Sequence, residues 1–445
     1  MTITADSWIH DAPVQWTRGR IKNLIASAAN GTWGGEPVED GSDVRCIRAA
    51  DFDRVGRRAK VDGAPLRAID ASSLRQHLLR PGDLILEKSG GGEKQPVGMA
   101  VLYDSTEKAV CSNFCARVSP ATHVDSRFLT YVFAAAYGQG LTQSAIKQTT
   151  GIQNLDAGTF FSSAWAHPEL EEQRRIADFL DAETARIDEM RRCSQRQVEL
   201  LGHRFKEFMR RETTVGHGPA TETGVPWMPM MGHGWKLHKV SQEFRTASGT
   251  TPTSSDASYF DGPYPWVNSA DVKDGLIRRV GKSVTKKALL DFSALTVHPA
   301  GALVVALYGQ GATKGRVGIL GLDSCLNQAC CALVPAGRIS TKFAYFWFRA
   351  HKDGIVAQAV GAGQPNLSQE LIRQLRIPAP DMAMQLQITS RLQDVEKSTG
   401  VQVSQLERRD ALLAERRQAL ITAAVTGQFD VSTASGRNVT DGVTA

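Results

Sequence analysis

The stretch HPELEEQRRIADFLDAETARIDEM, residues 167–190, decides how this chain is organised. Pro168 stands where a helix can begin without forfeiting a hydrogen bond, and no further proline follows through Thr213. Leu180, Ile187, Leu201 and Phe208 recur at multiples of seven, with Met190, Val198 and Phe205 beside them. A second pattern of the same kind runs from Asp381 to Val425, where Leu392, Thr399, Leu406, Leu413 and Leu420 are spaced by seven. A narrow apolar seam on a charged helix needs another helix to cover it, and two such helices in one chain most simply pair with each other. About 45 residues at 1.5 Å each would give a rod of roughly 65 Å. The charges on these helices, such as Glu171, Glu172, Arg174 and Arg175, read as a solvated face.

Working outward, the segments before the two helices also correspond. GIQNLD at 151–156 and GQPNLS at 363–368 share an offset of 212 residues, which carries Pro168 onto Pro380 and Gln173 onto Gln385. FLTYVF at Phe128 matches FAYFWF at Phe343, and SNFCARVSP matches NQACCALVP, both at an offset of 215. PGDLILEKSGGG from Pro81 lines up with AGALVVALYGQG from Ala300, offset 219. A falling offset is what diverged copies with variable loops produce. Each copy runs in the same order. An aliphatic strand (DLILE, ALVVALY) leads into a glycine-rich loop, a second strand (VGMAVL, GRVGIL) and strands around the cysteines. An aromatic helix follows, then a polar loop and a short strand into the proline. The fold class predicted is α+β: two tandem α/β domains, separated and followed by long helices that pair as an antiparallel coiled coil. The strands before Pro81 and those between Gly216 and Tyr264 cannot be placed, because those segments show little mutual similarity.

With 445 residues the chain is too long for one core, and its 42% apolar and 22% charged content is that of a folded protein in water. No apolar run approaches the ~20 residues that span a bilayer. The start MTITADSWIHDAPVQWTRGR has no basic-then-apolar leader, so a cytoplasmic protein without membrane partners is expected. Seven cysteines without paired CxxC spacing read as buried thiols, and no metal site is expected. The formal net charge of +6 permits an anionic partner without requiring one.

PELEEQRRIADFLDAETARID and ERRQALITAAVTGQFDV resemble the helical segments of type I restriction–modification specificity subunits. GIQNLD and GQPNLS resemble the turn that closes each target recognition domain of that family. The likeness covers nearly the whole chain, although PDMAMQLQI at 380–388 departs from the family's acidic helix start. It implies a recognition domain at 1–165, a helical region at 166–214, a second recognition domain at 215–379, a second helical region at 380–430 and a disordered tail at 431–445. It further implies a non-catalytic reader of double-stranded DNA that binds two methyltransferase subunits and further restriction/translocase subunits. Each domain would read one half of a bipartite, asymmetric site, and the helices would set the gap. The chain itself would hold no cofactor; S-adenosylmethionine, ATP and magnesium would belong to the partner subunits.

The loops offer residues suited to DNA. Lysine and arginine neutralise phosphates, while glutamine, asparagine and arginine can read base edges through paired hydrogen bonds. In the first copy the candidates are Lys88, Ser89, Lys94, Gln143, Lys147, Gln148, Thr149 and Gln153. In the second they are Tyr308, Gln310, Lys314, Arg316, Gln358 and Gln364. Asn154 and Asn366, common to both copies, suit a structural or phosphate role better than base reading. The helix positions Leu180, Ile187, Leu201, Phe208, Leu392, Leu406, Leu413 and Leu420 are assigned to the coiled coil and its partners. Two rivals are a duplicated nuclease using Asp83, Glu87 and Lys88, and a coiled-coil scaffold without DNA specificity. GQGATKGR at 309–316 lacks the lysine-hydroxyl ending of a nucleotide loop, and no Asn-Pro-Pro turn for a flipped adenine occurs.

Overall fold

Leu84, Ile85 and Leu86 are fully buried because the strand Leu84–Glu87 is covered on both faces. Leu84 and Leu86 face one apolar cluster with Val118, Phe128 and Val132; Ile85 faces another with Ile47, Val101, Cys111 and Cys115. A strand buried on two sides reads as a continuous apolar run, not as an alternation. The computed structural model in which this is seen describes residues 11–92, 95–149, 152–309, 311–359 and 366–431. Residues 432–445 of the expected tail lie outside them. The chain forms two units, one of residues 1–195 with 407–445 and the other of residues 196–406.

In the first unit the sheet order is Ile25–Asn30, Cys115–Pro120, Leu84–Glu87, Ala100–Leu102, Arg58–Ala59 and Phe52–Asp53. The first four pair antiparallel, and Arg58–Ala59 joins Ala100–Leu102 in parallel. In the second unit the order is Phe244–Ser248, Cys330–Pro335, Leu303–Ala306, Val317–Leu320 and Gly275–Ile277, with the same sequence of antiparallel and parallel pairings. The duplication therefore extends into the segments whose strands the sequence left unplaced. Thr17–Arg20 pairs with Ala164–His167 before the first long helix, and Lys236–Lys239 pairs with Arg376–Ala379 before the second. Gly31 and Gly249 follow the two edge strands and show why both are glycine. A Cβ would lie 2.2 Å from the carbonyl oxygen of Cys111 at Gly31, and 2.0 Å from that of Leu326 at Gly249.

Each aromatic helix, Ser126–Gly138 and Thr341–Ala350, is capped by a side chain: Asp125 accepts from the N–H groups of Arg127 and Phe128, and Ser340 from that of Phe343. A buried glutamine ties each cap to the start of a long helix. Gln173 Nε2 donates to the carbonyls of His123 and Pro168, while its Oε1 accepts from Asp125 N–H at 3.0 Å. Gln385 repeats this with the carbonyls of Arg338 and Pro380 and with Ser340 N–H at 2.9 Å. Retention of this glutamine explains why PDMAMQLQI starts a helix without the acidic residues of its counterpart. Gln385→Leu removes the partner of three part-buried backbone groups and should destabilise the second unit by about 2 kcal/mol, against about 0.5 for the exposed Gln387→Leu, in urea denaturation. Equal shifts would refute the clamp.

The long helices are Leu170–Thr214 and Met382–Val425. Within the first unit they run antiparallel: Arg191 pairs with Asp410 at 3.1 Å, and Arg417 with Asp188 at 3.0 Å. Within the second, Arg391 meets the buried Glu212 at 3.2 Å. The seam is not covered by helix alone. Leu180, Ile187 and Leu420 sink into the first domain's core, and Leu392 with Ile388 into the second. Leu201, Phe208, Leu406 and Leu413 are half-buried. A heptad registers an apolar stripe but cannot say whether a helix or a domain covers it. The pairs Glu171–Arg174, Glu189–Arg192 and Glu207–Arg210 lie along the solvated face, where such i,i+3 pairs support the helix only weakly.

His351 sits buried at the end of its aromatic helix, stacked near Trp227 and Trp347, and shares a hydrogen bond of 2.7 Å with Thr214. Burial, reinforced by Arg210, pushes its imidazole down to about 4 from 6.5. The native state therefore excludes a proton that the unfolded chain takes up. Stability of the second unit is complete above pH 6.5 and falls progressively towards pH 4, by about 3 kcal/mol if this group acts alone. His351→Gln should flatten that limb in hydrogen-exchange measurements on second-unit peptides; an unchanged slope would contradict the assignment.

Candidate nucleic-acid interface

In the first unit the polar run after the aromatic helix becomes a three-stranded sheet. Ile146–Thr149 pairs with Ile152–Leu155, which pairs with Ser89–Gly90. This register brings Lys147 opposite Asn154, and Asn154 opposite Ser89, so candidates far apart in sequence share one surface. Ile146 turns to the core while Lys147 and Gln148 are exposed, as is Gln143 on the preceding turn. Lys147 Nζ is paired with Asp156 at 2.7 Å, and that contact holds the Asp156 carboxyl down to about 2. Lys88 Nζ donates to Asn30 Oδ1.

Two residues serve the fold. Gln153 is buried, and its Oε1 accepts from Val97 N–H at 3.3 Å, fixing the glycine loop. Asn154 Oδ1 accepts from Ser89 Oγ at 2.5 Å, the structural role its repetition suggested. Lys94 and the Thr149 side chain lie outside the described residues, as do Gln310 and Gln364.

In the second unit Tyr308, Lys314 and Arg316 lie together on the connection between Leu303–Ala306 and Val317–Leu320, all half-buried. The loop is held by Arg316 N–H to Thr313 O at 3.0 Å and Gly315 N–H to Ala306 O at 2.8 Å. Lys352, which the sequence reading passed over, donates from Nζ to Ala312 O at 2.8 Å and joins this cluster. Burial, with Arg316 and Lys206 nearby, lowers its ammonium below the ordinary lysine range. Only its position just past an aromatic helix could have marked it. Gln358 is exposed at the end of the helix Lys352–Val356, and Asn366 is exposed beside Leu367, whose N–H reaches Leu307 O.

The nuclease set is employed otherwise. Asp83 accepts from Arg80 N–H at 2.8 Å and Ser119 Oγ at 2.6 Å, and Glu87 pairs with Arg54 at 3.3 Å. Six of the seven cysteines are buried, and burial raises their thiols, to about 11 at Cys46 and Cys325 and about 12 at Cys115 and Cys331. They stay protonated and unreactive near neutrality. Among the described residues no helix is long and apolar enough to cross a membrane.

Residues 233–408 match the family model described as the type I restriction modification DNA specificity domain. Two curated relatives come from Methanocaldococcus jannaschii. The type I restriction enzyme MjaIX specificity subunit is 23% identical over 161 residues, 35% of this chain and 36% of the relative. The MjaVIII specificity subunit is 20% identical over 174 residues, 39% of this chain and 38% of the relative. The matched stretch thus spans little more than a third of either relative. A chain solved to explain complex assembly and conformational transition of the type I R-M system superposes with a TM-score of 0.73 at 16% identity, covering 94% of this chain and 99% of that one. The HsdS subunit from Thermoanaerobacter tengcongensis gives 0.53 at 15% identity, covering 94% and 98%. At these identities the structural likeness is one of fold.

Proposed function

We propose that this chain is the DNA-reading, non-catalytic member of a type I restriction–modification complex, a reading supported by the specificity-domain match over residues 233–408 and by its two specificity-subunit relatives. Each recognition domain reads one half of a bipartite site in double-stranded DNA. The long helices set the gap and dock two adenine methyltransferase subunits, to which restriction/translocase subunits add. S-adenosylmethionine, ATP and magnesium serve chemistry on those partners.

The observation that carries this reading is one framework built twice with different polar loops. The pairing order is the same in both units, yet the positions of Glu87, Lys88 and Ser89 are occupied by Ala306, Leu307 and Tyr308 in the second. Equivalent scaffolds with unlike surfaces suit two unlike half-sites, hence an asymmetric target. The scaffold alternative has no observation of its own in its favour.

The test is salt-dependent binding of the complex of this chain with its methyltransferase subunits to duplex DNA. Lys147→Ala should weaken binding to all sequences alike and reduce the slope of log K against log salt by about 1. Gln148→Ala should instead relax discrimination at one position of one half-site by roughly tenfold or more. Binding with no salt dependence and no sequence preference would leave the scaffold reading standing.

A further inference from the structure

Beside the polar sheet of the first unit lies a cavity of about 490 Å³. Trp33 and Phe114 line it, together with Glu87, Ser89, Ser112 and Asn113. Phe114 is 53% exposed although large and apolar, and its carbonyl accepts from the N–H groups of Lys88 and Ser89. Trp33 carries Arg67 over one ring face at 4.2 Å, which fixes the indole plane. Glu87 is the sole acid among the described lining residues and is 4% exposed. Among the described residues its carboxylate meets a single nitrogen, Arg54 Nη2, at 3.3 Å from both oxygens, which leaves accepting capacity on each. Arg48, the cation among the described lining residues, is committed to Asp51 through two bonds of 2.9 Å.

The second unit lacks the acid and the two aromatic rings at the corresponding positions. Strand register and the equivalence of Gly31 with Gly249 set Glu87 against Ala306, Phe114 against Ala329 and Trp33 against Thr251. A shared framework does not need the constellation, so it serves something only the first domain does.

We propose that this cavity receives an unstacked DNA base bearing an exocyclic amino group, thus any base but thymine, from the half-site read by the first domain. The inference rests on the DNA-reading function proposed above. Phe114 and Trp33 offer ring faces for stacking, which any base can use. Glu87 accepts from the amino group, the pairing that distinguishes cytosine and adenine from thymine. Guanine presents its 2-amino group beside N1–H, a donor pair a carboxylate also accepts, so thymine is the base this cavity turns away. Ser89 lies on both the cavity wall and the polar sheet, so the cavity opens beside the surface that meets the duplex. The volume is of the size a nucleoside needs, whereas a base edge within the stack would not reach a carboxylate this deeply set.

Unpairing a base costs least where it is already mismatched. The experiment measures affinity of the complex with methyltransferase subunits for cognate duplexes mismatched at one position at a time in the first half-site. One position should bind about tenfold tighter when mismatched, and a 2-aminopurine placed next to it should brighten on binding. Phe114→Ala, an exposed change that spares the fold, should abolish the tightening. Glu87→Gln should keep it but admit thymine at that position. Specific binding to the cognate duplex with no position tightened overturns the cavity proposal and leaves the DNA reader intact. Loss of all sequence preference in the wild-type complex overturns both.

Discussion

Leu420→Asp will unfold the first unit, whereas Leu412→Asp, eight residues earlier on the same helix, will leave stability within about 0.5 kcal/mol of wild type. Leu420 is 1% exposed and packs in the core that also holds Leu180, Ile187 and Phe128; Leu412 is 55% exposed. An aspartate at position 420 loses the leucine's burial, about 2–5 kcal/mol by comparison with leucine-to-alanine changes. It also places an unpaired carboxylate in an apolar core, so the sum exceeds about 4 kcal/mol. Hydrogen exchange of first-unit peptides is the readout. Leu406 and Leu413, being half-buried, should show intermediate losses when replaced by aspartate. Similar effects at 412 and 420 would mean that the helix does not belong to the domain's core.

The second large effect concerns recognition. Replacing residues 1–167 by the corresponding domain of a type I specificity subunit should change one half of the methylated motif completely and leave the other half and the gap as they were. The physical reason lies in how each unit closes on itself. Thr17–Arg20 pairs with Ala164–His167, so a graft made just beyond His167 cuts no strand pair of that domain. The contacts that must be preserved are those to Gln173 and to the buried face of the first long helix, which repeat in the second copy at Gln385. A change in both halves of the motif would refute independent reading.

Much of this was legible because the strongest signals were local or repeated. DLILE, ALVVALY and the aromatic helices announced themselves by composition, and the offsets tied them into two copies. The edge strands Ile25–Asn30 and Phe244–Ser248 did not. IASAAN and FRTAS are short, largely small or polar, and owe their structure to partners some 90 residues away, Cys115–Pro120 and Cys330–Pro335. The surface was legible in type but not in detail. Lys147, Gln148 and Gln143 face outward, yet Gln153, equally polar, is turned inward to hold a backbone N–H. Glu87 read as a poor nuclease carboxylate because its aromatic neighbours, Trp33 and Phe114, reach it only through folding. The heptads located the helices but credited to a coiled coil residues that the domains themselves bury.

The central claim is that this chain chooses the DNA sequence on which other subunits act. It is tested most directly by a base-resolution map of methyladenine in host DNA, with the gene intact and with it deleted, the partner methyltransferase being expressed in both. One bipartite, asymmetric motif should lose its methylation on deletion and regain it when the gene is restored. An unchanged map, with the chain folded and bound to its methyltransferase, would contradict it.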